Sequence, residues 1–231
     1  MIPNGQAPHS APARLAVKAA RLLLPPAMRF PARIAITRAI ALHQRRKAAR
    51  LVRVQPLLLY LGCGYAPKDG WVNIDLVGAS SDLCWNLLAP LPFPDDSVDG
   101  VFLEHVLEHF DLDQGVAVLV NCYRVLKPDA ILRVAVPHVW RYAESYVNDP
   151  DRTYIHSVRP GHPTALLAFQ QIFYGYGHRM AYDSETLSYV LRRAGFTAIR
   201  ERPFGETDLP NLADSENRRL ESLYVECRKP A

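Results

Sequence analysis

The sequence predicts an α/β domain built on a mostly parallel sheet, and three observations carry that prediction. From Leu57 onward, short apolar runs alternate with segments of helical period, the pattern of helices packed against parallel strands. The run Leu57-Leu58-Leu59-Tyr60-Leu61 stops abruptly at Gly62-Cys63-Gly64, as a buried strand does when it turns at its carboxyl end. A second apolar run, Val72-Asn73-Ile74, ends on a carboxylate, Asp75.

Taken in order, the pattern predicts strands at 57–61, 71–75, 82–85, 98–103, 130–136, 197–203 and 221–228. Helices are expected near 112–126, 138–148, 164–174 and 184–194. Asp183-Ser184-x-Thr186 supplies a helix start and Gly195 a stop. Pro90-Leu91-Pro92-Phe93-Pro94 reads as a loop, and the chain has no internal repeat. Before this body, Ala11 to Leu24 and Ala32 to Val52 can both be helical, separated by Pro25-Pro26 and Pro31. The domain is accordingly placed at 56–231, with 1–55 as an arm.

Glycines at the end of the first strand let the backbone approach a ligand closely. A carboxylate at the tip of the next strand can accept two hydroxyl hydrogen bonds from a ribose. Together they describe a nucleoside site beyond the carboxyl ends of the strands. A dinucleotide is disfavoured, because Pro67 stands where the third glycine of the G-x-G-x-x-G fingerprint belongs. Asp75 also arrives too early for a full crossover helix of about 10–12 residues. The link around Pro67-Lys68-Asp69-Gly70 is read as an irregular turn, which leaves a diphosphate little helix N-terminus to sit on.

Charge divides the chain. Residues 1–55 hold eleven Lys and Arg and no acid, and the remainder carries a net −7. Arg14, Lys18 and Arg21 share one face of the first arm helix, with Leu15, Leu22 and Leu23 elsewhere. The arm is expected to pack its apolar side on the domain, with attachment to anionic lipid or nucleic acid, or an organelle address, as the alternatives. Four cysteines, at 63, 84, 122 and 227, show no metal spacing and read as reduced, packed thiols. No stretch reaches the roughly 20 apolar residues of a membrane span, and no secretory pattern opens the chain. The expected location is cytoplasmic, with the arm offering peripheral contact to the inner face of a membrane.

The chain resembles the class I S-adenosylmethionine-dependent methyltransferases, in particular their small type 11 branch. The resemblance rests on Leu61-Gly62-Cys63-Gly64, Gly70-Trp71-Val72-Asn73-Ile74-Asp75, Leu91-Pro92-Phe93-Pro94-Asp95-Asp96-Ser97-Val98-Asp99, Glu104-His105-Val106-Leu107-Glu108-His109 and Arg124-Val125-Leu126-Lys127-Pro128, in order. Tyr182-Asp183 and the helix ending at Ala194-Gly195-Phe196 extend it. It implies a Rossmann-like sheet of order 3-2-1-4-5-7-6 with the last strand antiparallel, and S-adenosylmethionine as cofactor. It places Gly62 and Gly64 on the methionine part, Asp75 on the ribose, and Asn86 on the adenine where the family usually has an acid. Asp82 competes with Asn86 for that role. Leu61, Cys63, Leu76, Leu87, Glu104 and His105 complete the implied cofactor contacts.

For the chemistry, His105, Glu108, His109 and His178 are the candidates, since histidine titrates near neutrality. If the turn after the fourth strand is helical, positions 105, 108 and 109 share a face. They superficially resemble a metal-binding H-x-x-E-H run, but without a third ligand or a long helix, so no metal is predicted. The aromatic, glycine-rich Phe173 to Arg179 stretch and Arg159-Pro160-Gly161-His162-Pro163 fall where the family hosts its substrate lid. The expected acceptor is a small molecule, sugar or lipid-linked compound rather than nucleic acid, with O-, N- or C-methylation open; the sequence sets no oligomeric state. The competing readings are a non-catalytic nucleoside-binding protein, suggested by Asn86 and Asp129-Ala130, and a nicotinamide-dependent reductase.

Overall fold

The computed structural model describes residues 25–78, 80–211 and 214–231. In chain order these form α1 (Pro26–Ala39), α2 (Ala41–Leu51), β1 (Leu58–Leu61), β2 (Val72–Asp75), β3 (Leu83–Cys84), β4 (Val98–Glu104), α3 (Leu112–Val125), β5 (Leu126–Pro137), α4 (Val139–Asn148), α5 (Thr153–Val158), α6 (Ala165–Tyr174), α7 (Ser184–Arg193), β6 (Thr197–Glu201) and β7 (Ser222–Arg228). The sheet runs β3-β2-β1-β4-β5-β7-β6. Pairing is parallel from β3 to β5, and β7 lies antiparallel to both β5 and β6. β1 lies inside the sheet between β2 and β4, and all four of its residues are buried.

The alternation of β1 splits its side chains between two cores. Leu57, Leu59 and Leu61 join Val101, Leu103 and Val134 under the apolar stripes of α3 and α7. A capping box between Asp111 and Gln114 starts α3, and Asp183 accepts from the Thr186 amide to start α7. Gly195 ends that turn at φ +99, where a Cβ would stand 3.1 Å from the Tyr123 ring.

The opposite face, lined by Leu58, Tyr60, Phe102, Ile131, Ala135 and Tyr224, carries Leu209 and Phe204 from the β6–β7 connection. Gly100 makes room for it: a Cβ there would lie 2.6 Å from Leu209. Arg133, 1% exposed in the middle of β5, clamps the same connection. Its guanidinium reaches Asp214 at 2.5 and 2.8 Å, Glu226 at 2.9 Å and the Glu206 carbonyl at 3.0 Å.

The arm departs from the sequence reading. The expected helix over Ala11 to Leu24 lies outside the described residues. The second helix begins at Pro26, runs through Pro31 and breaks at Ile40 (φ −93°, ψ 2°), rather than starting after Pro31. Pro26 sits in the first turn, where an N–H has no helical partner, and Pro31 forfeits a single bond to the preceding turn. α2 then covers the edge of the sheet: Gln44 Oε1 accepts from the Cys84 amide at 3.0 Å, and Ala48 is fully buried. Among the described residues, no helix is long and apolar enough to cross a membrane.

Candidate active site

The site begins where β1 ends. No helix intervenes between β1 and β2, as the early arrival of Asp75 predicts. Gly62 and Gly64 both hold positive φ, at +74 and +54. The two differ in surroundings. A Cβ on Gly62 would meet Val106 Cγ2 at 2.2 Å, so this glycine allows the turn after β4 to close against β1. A Cβ on Gly64 would meet nothing within 4 Å, so its bare backbone faces open space. Gly62→Ala combines a left-handed backbone with a core clash and is expected to cost about 2–4 kcal/mol. Chemical denaturation checks this, and Val106→Ala in the same chain should recover part of the loss.

Asp75 closes β2 beside that space. Its Oδ2 accepts from the Gly64 amide at 2.9 Å, and its Oδ1 from the Leu76 amide at 2.5 Å. The carboxylate is thus fixed in orientation by two backbone donors while remaining partly exposed. Cys63 is buried, and burial with the nearby Asp75 charge pushes its thiol up to about 12, which leaves it unreactive at neutral pH.

Arg33 of α1 is a neighbour the sequence did not single out among eleven similar cations. It donates to Asp75 Oδ1 at 3.1 Å, the Leu76 carbonyl at 3.3 Å and the Val77 carbonyl at 2.7 Å. Thr37 Oγ1 accepts from the Val77 amide one turn later. α1 is therefore stitched to Asp75 and the segment that follows it. Arg33→Ala is expected to release about 1–2 kcal/mol of local stability, raising amide exchange of α1 roughly 5–30-fold while the sheet is unaffected.

Asn86, the residue expected at the adenine, has its Oδ1 accepting from the Leu88 amide at 3.1 Å in a turn. Asp82 is committed elsewhere, since its Oδ2 takes both the amide and the side-chain nitrogen of Asn73 at 2.9 Å. Leu61 and Leu87 are buried, and Leu76 is half-buried beside Asp75. Glu104, at the end of β4, is also heavily engaged: it accepts from Tyr60 at 3.3 Å and the Ser215 amide at 2.8 Å, and pairs with Lys68 at 3.3 Å. It ties the β6–β7 connection to the carboxyl edge of the sheet. Lys68 and Ser215 emerge only in three dimensions, because Ser215 lies far along the chain.

The turn after β4 is not the helical face the sequence suggested. His105 takes φ +52, and only Leu107–His109 form a single 3-10 turn. His105 and Glu108 still meet, with Nδ1 3.4 Å from Oε1, and His105 Nε2 lies 2.7 Å from Ser222 Oγ. His178 approaches from the segment after α6, and its ring stands edge-on to His109 at 5.0 Å. Burial, reinforced by Arg218 and Arg159, holds His105 well below the ordinary histidine range. Burial also lowers His109 and His178, and it pushes the Glu108 carboxyl up to about 8. The Asp75 charge opposes the lowering at His109.

Residues 76–134 match the family model described as a methyltransferase domain. That stretch runs from the carboxyl end of β2 into β5, and the sheet around it has the order that the sequence resemblance implies. The match spans 59 of the 231 residues, and over it the chain is similar to the methyltransferase family. No curated protein matches the sequence.

Among solved structures, the chain is similar to an S-adenosylmethionine-dependent methyltransferase from Archaeoglobus fulgidus, at 17% identity over 85% of this chain and 94% of that one, with a TM-score of 0.47. It is also similar to human N-acetylserotonin methyltransferase in complex with S-adenosylmethionine, at 16% identity over 88% of this chain and 56% of that one, with a TM-score of 0.48. The residues described above fit S-adenosylmethionine, the cofactor that the sequence resemblance implies. Gly64 leaves an open cradle, and Asp75 stands beside it with its carboxylate already oriented.

Proposed function

We propose that the domain transfers a methyl group from S-adenosylmethionine to a small-molecule, sugar or lipid-linked acceptor. The observation that carries the reading is the Gly64–Asp75 pair: a bare backbone facing open space, joined by a 2.9 Å hydrogen bond to a partly exposed carboxylate. In the proposed complex Asp75 accepts the ribose hydroxyls, and the backbone around Gly64 passes close to the amino-acid portion. Asn86 and Leu87 flank the adenine. The cofactor supplies, when bound, a methyl group already activated on a sulfonium.

The chain's own residues then act by orientation and exclusion of water. The segment from Phe173 to Met180 forms the lid. It is docked by the Arg179 and Met180 amides, which both donate to the Glu108 carbonyl at 2.8 and 3.1 Å. Phe173, Tyr174 and Tyr176 are exposed on it and offer aromatic surface to an acceptor. His105, Glu108, His109 and His178 stand together between lid and sheet. Residues 56–231 carry this chemistry, and α1 and α2, the described part of the 1–55 arm, expose Arg38, Arg46 and Arg50, which suit an anionic or membrane-borne acceptor.

The test is transfer of labelled methyl groups by the full chain to a panel of phenols, amines, sugars and lipid-linked sugars. Transfer to one class, abolished with Asp75→Ala, supports the reading. Saturable cofactor binding with no transfer to any class would favour a non-catalytic binding protein.

A further inference from the structure

The His105 to His109 run lacks a third metal ligand in sequence, and for that reason no metal is expected from it. In the structure a third donor arrives from a distant segment. His178 Nε2 lies 3.9 Å from Glu108 Oε1. One donor atom from each of Glu108, His109 and His178 lies within 4.8 Å of the other two.

Three features distinguish this meeting from a chance contact of polar groups. Glu108 is 1% exposed, and neither of its carboxylate oxygens has a hydrogen-bond partner among the described residues. A buried carboxylate in that state is costly unless it is neutralised or gains a cation.

The second feature is the tautomer of His178. Its Nδ1 lies 2.7 Å from the Ile172 carbonyl, which can only accept. Nδ1 therefore carries the proton, and Nε2 turns its lone pair toward the cluster. Ligating histidines are oriented by this kind of outer hydrogen bond. The third feature is rigidity. The two amides donated to the Glu108 carbonyl lock the lid segment beside the turn, so all three donors sit on backbone that is already joined.

We propose that Glu108, His109 and His178 bind one divalent transition-metal ion of the zinc or iron(II) class. Two imidazoles and one carboxylate suit such ions, and they suit the oxygen-seeking magnesium and calcium poorly. At bond lengths of about 2.0–2.2 Å, ligand atoms around a tetrahedral ion stand roughly 3–3.5 Å apart, so small side-chain rotations close the present spacing. Three protein ligands leave a coordination position open. The ion bridges the turn after β4 to the lid, and thereby couples lid docking to metal. The inference is independent of the identity of the cofactor.

The test is titration of the metal-stripped full chain with cobalt(II) and zinc, followed by calorimetry and by the visible absorption of cobalt. The expected result is one ion per chain, with cobalt bands of low-coordinate nitrogen–oxygen ligation. His178→Ala and His109→Ala should each weaken binding by more than the roughly 10–100-fold that loss of an outer-shell partner causes. His43→Ala, on the exposed surface of α2, should leave binding unchanged. Glu108→Gln keeps the buried shape and should change the cobalt spectrum while the far-ultraviolet dichroism stays that of the parent. Absence of stoichiometric binding overturns the proposal, as does binding that survives loss of both His109 and His178.

Discussion

Replacing Arg133 with alanine should lower the stability of the chain by about 3–5 kcal/mol, visible as a large drop in the denaturant midpoint. The size follows from what the substitution leaves behind. Arg133 is 1% exposed and pairs with Asp214 at 2.5 Å and Glu226 at 2.9 Å, which are themselves nearly inaccessible. It also lies over the Tyr224 ring at 5.0 Å. Without the guanidinium, two carboxylates stay buried with their strongest partner gone. The β6–β7 connection, which covers one face of the sheet and brings Ser215 to Glu104, loses its clamp. Converting Arg133, Asp214 and Glu226 together to apolar residues of similar volume should recover much of the loss, because a buried ion cluster adds little over well-packed hydrocarbon. A drop below about 1 kcal/mol for Arg133→Ala would show that the cluster is solvated in solution.

Asp75→Ala should weaken binding of S-adenosylmethionine by at least about 100-fold. Two hydroxyl bonds to a charged acceptor contribute roughly 1.5–3 kcal/mol each, and 1.4 kcal/mol is a factor of ten. The same carboxylate orients Gly64 and receives Arg33, so the variant also has structural consequences. Arg33→Ala separates the two effects. It frees the arm while keeping both carboxylate oxygens, and should leave most of the affinity in place. Comparable losses in both variants would mean that Asp75 acts by holding the arm rather than the ribose.

The sheet and the carboxyl edge of β1 and β2 were legible because they are local. A run of leucines ending in two glycines, and a carboxylate eleven residues beyond the second, need no long-range partner to be read. What was illegible depends on distance in the chain. Arg133 interrupts an apolar strand, and its partner Asp214 lies 81 residues on, in a polar segment with Leu209 as its apolar anchor. Arg33 looks like every other cation of the arm until β2 stands beside it. Pro31 reads as a helix break, yet tertiary packing of α1 outweighs the loss of one hydrogen bond. His178 was recognisable as a candidate from its aromatic, glycine-rich surroundings. Its meeting with Glu108 was not, since nothing in either local pattern encodes the other.

Calorimetric titration of the full chain with S-adenosylmethionine, S-adenosylhomocysteine and NADH tests the central claim most directly. Saturable, micromolar binding of both adenosyl compounds at one per chain, with none for NADH, is the expected result. No binding of either adenosyl compound, or binding of NADH in their place, would contradict it.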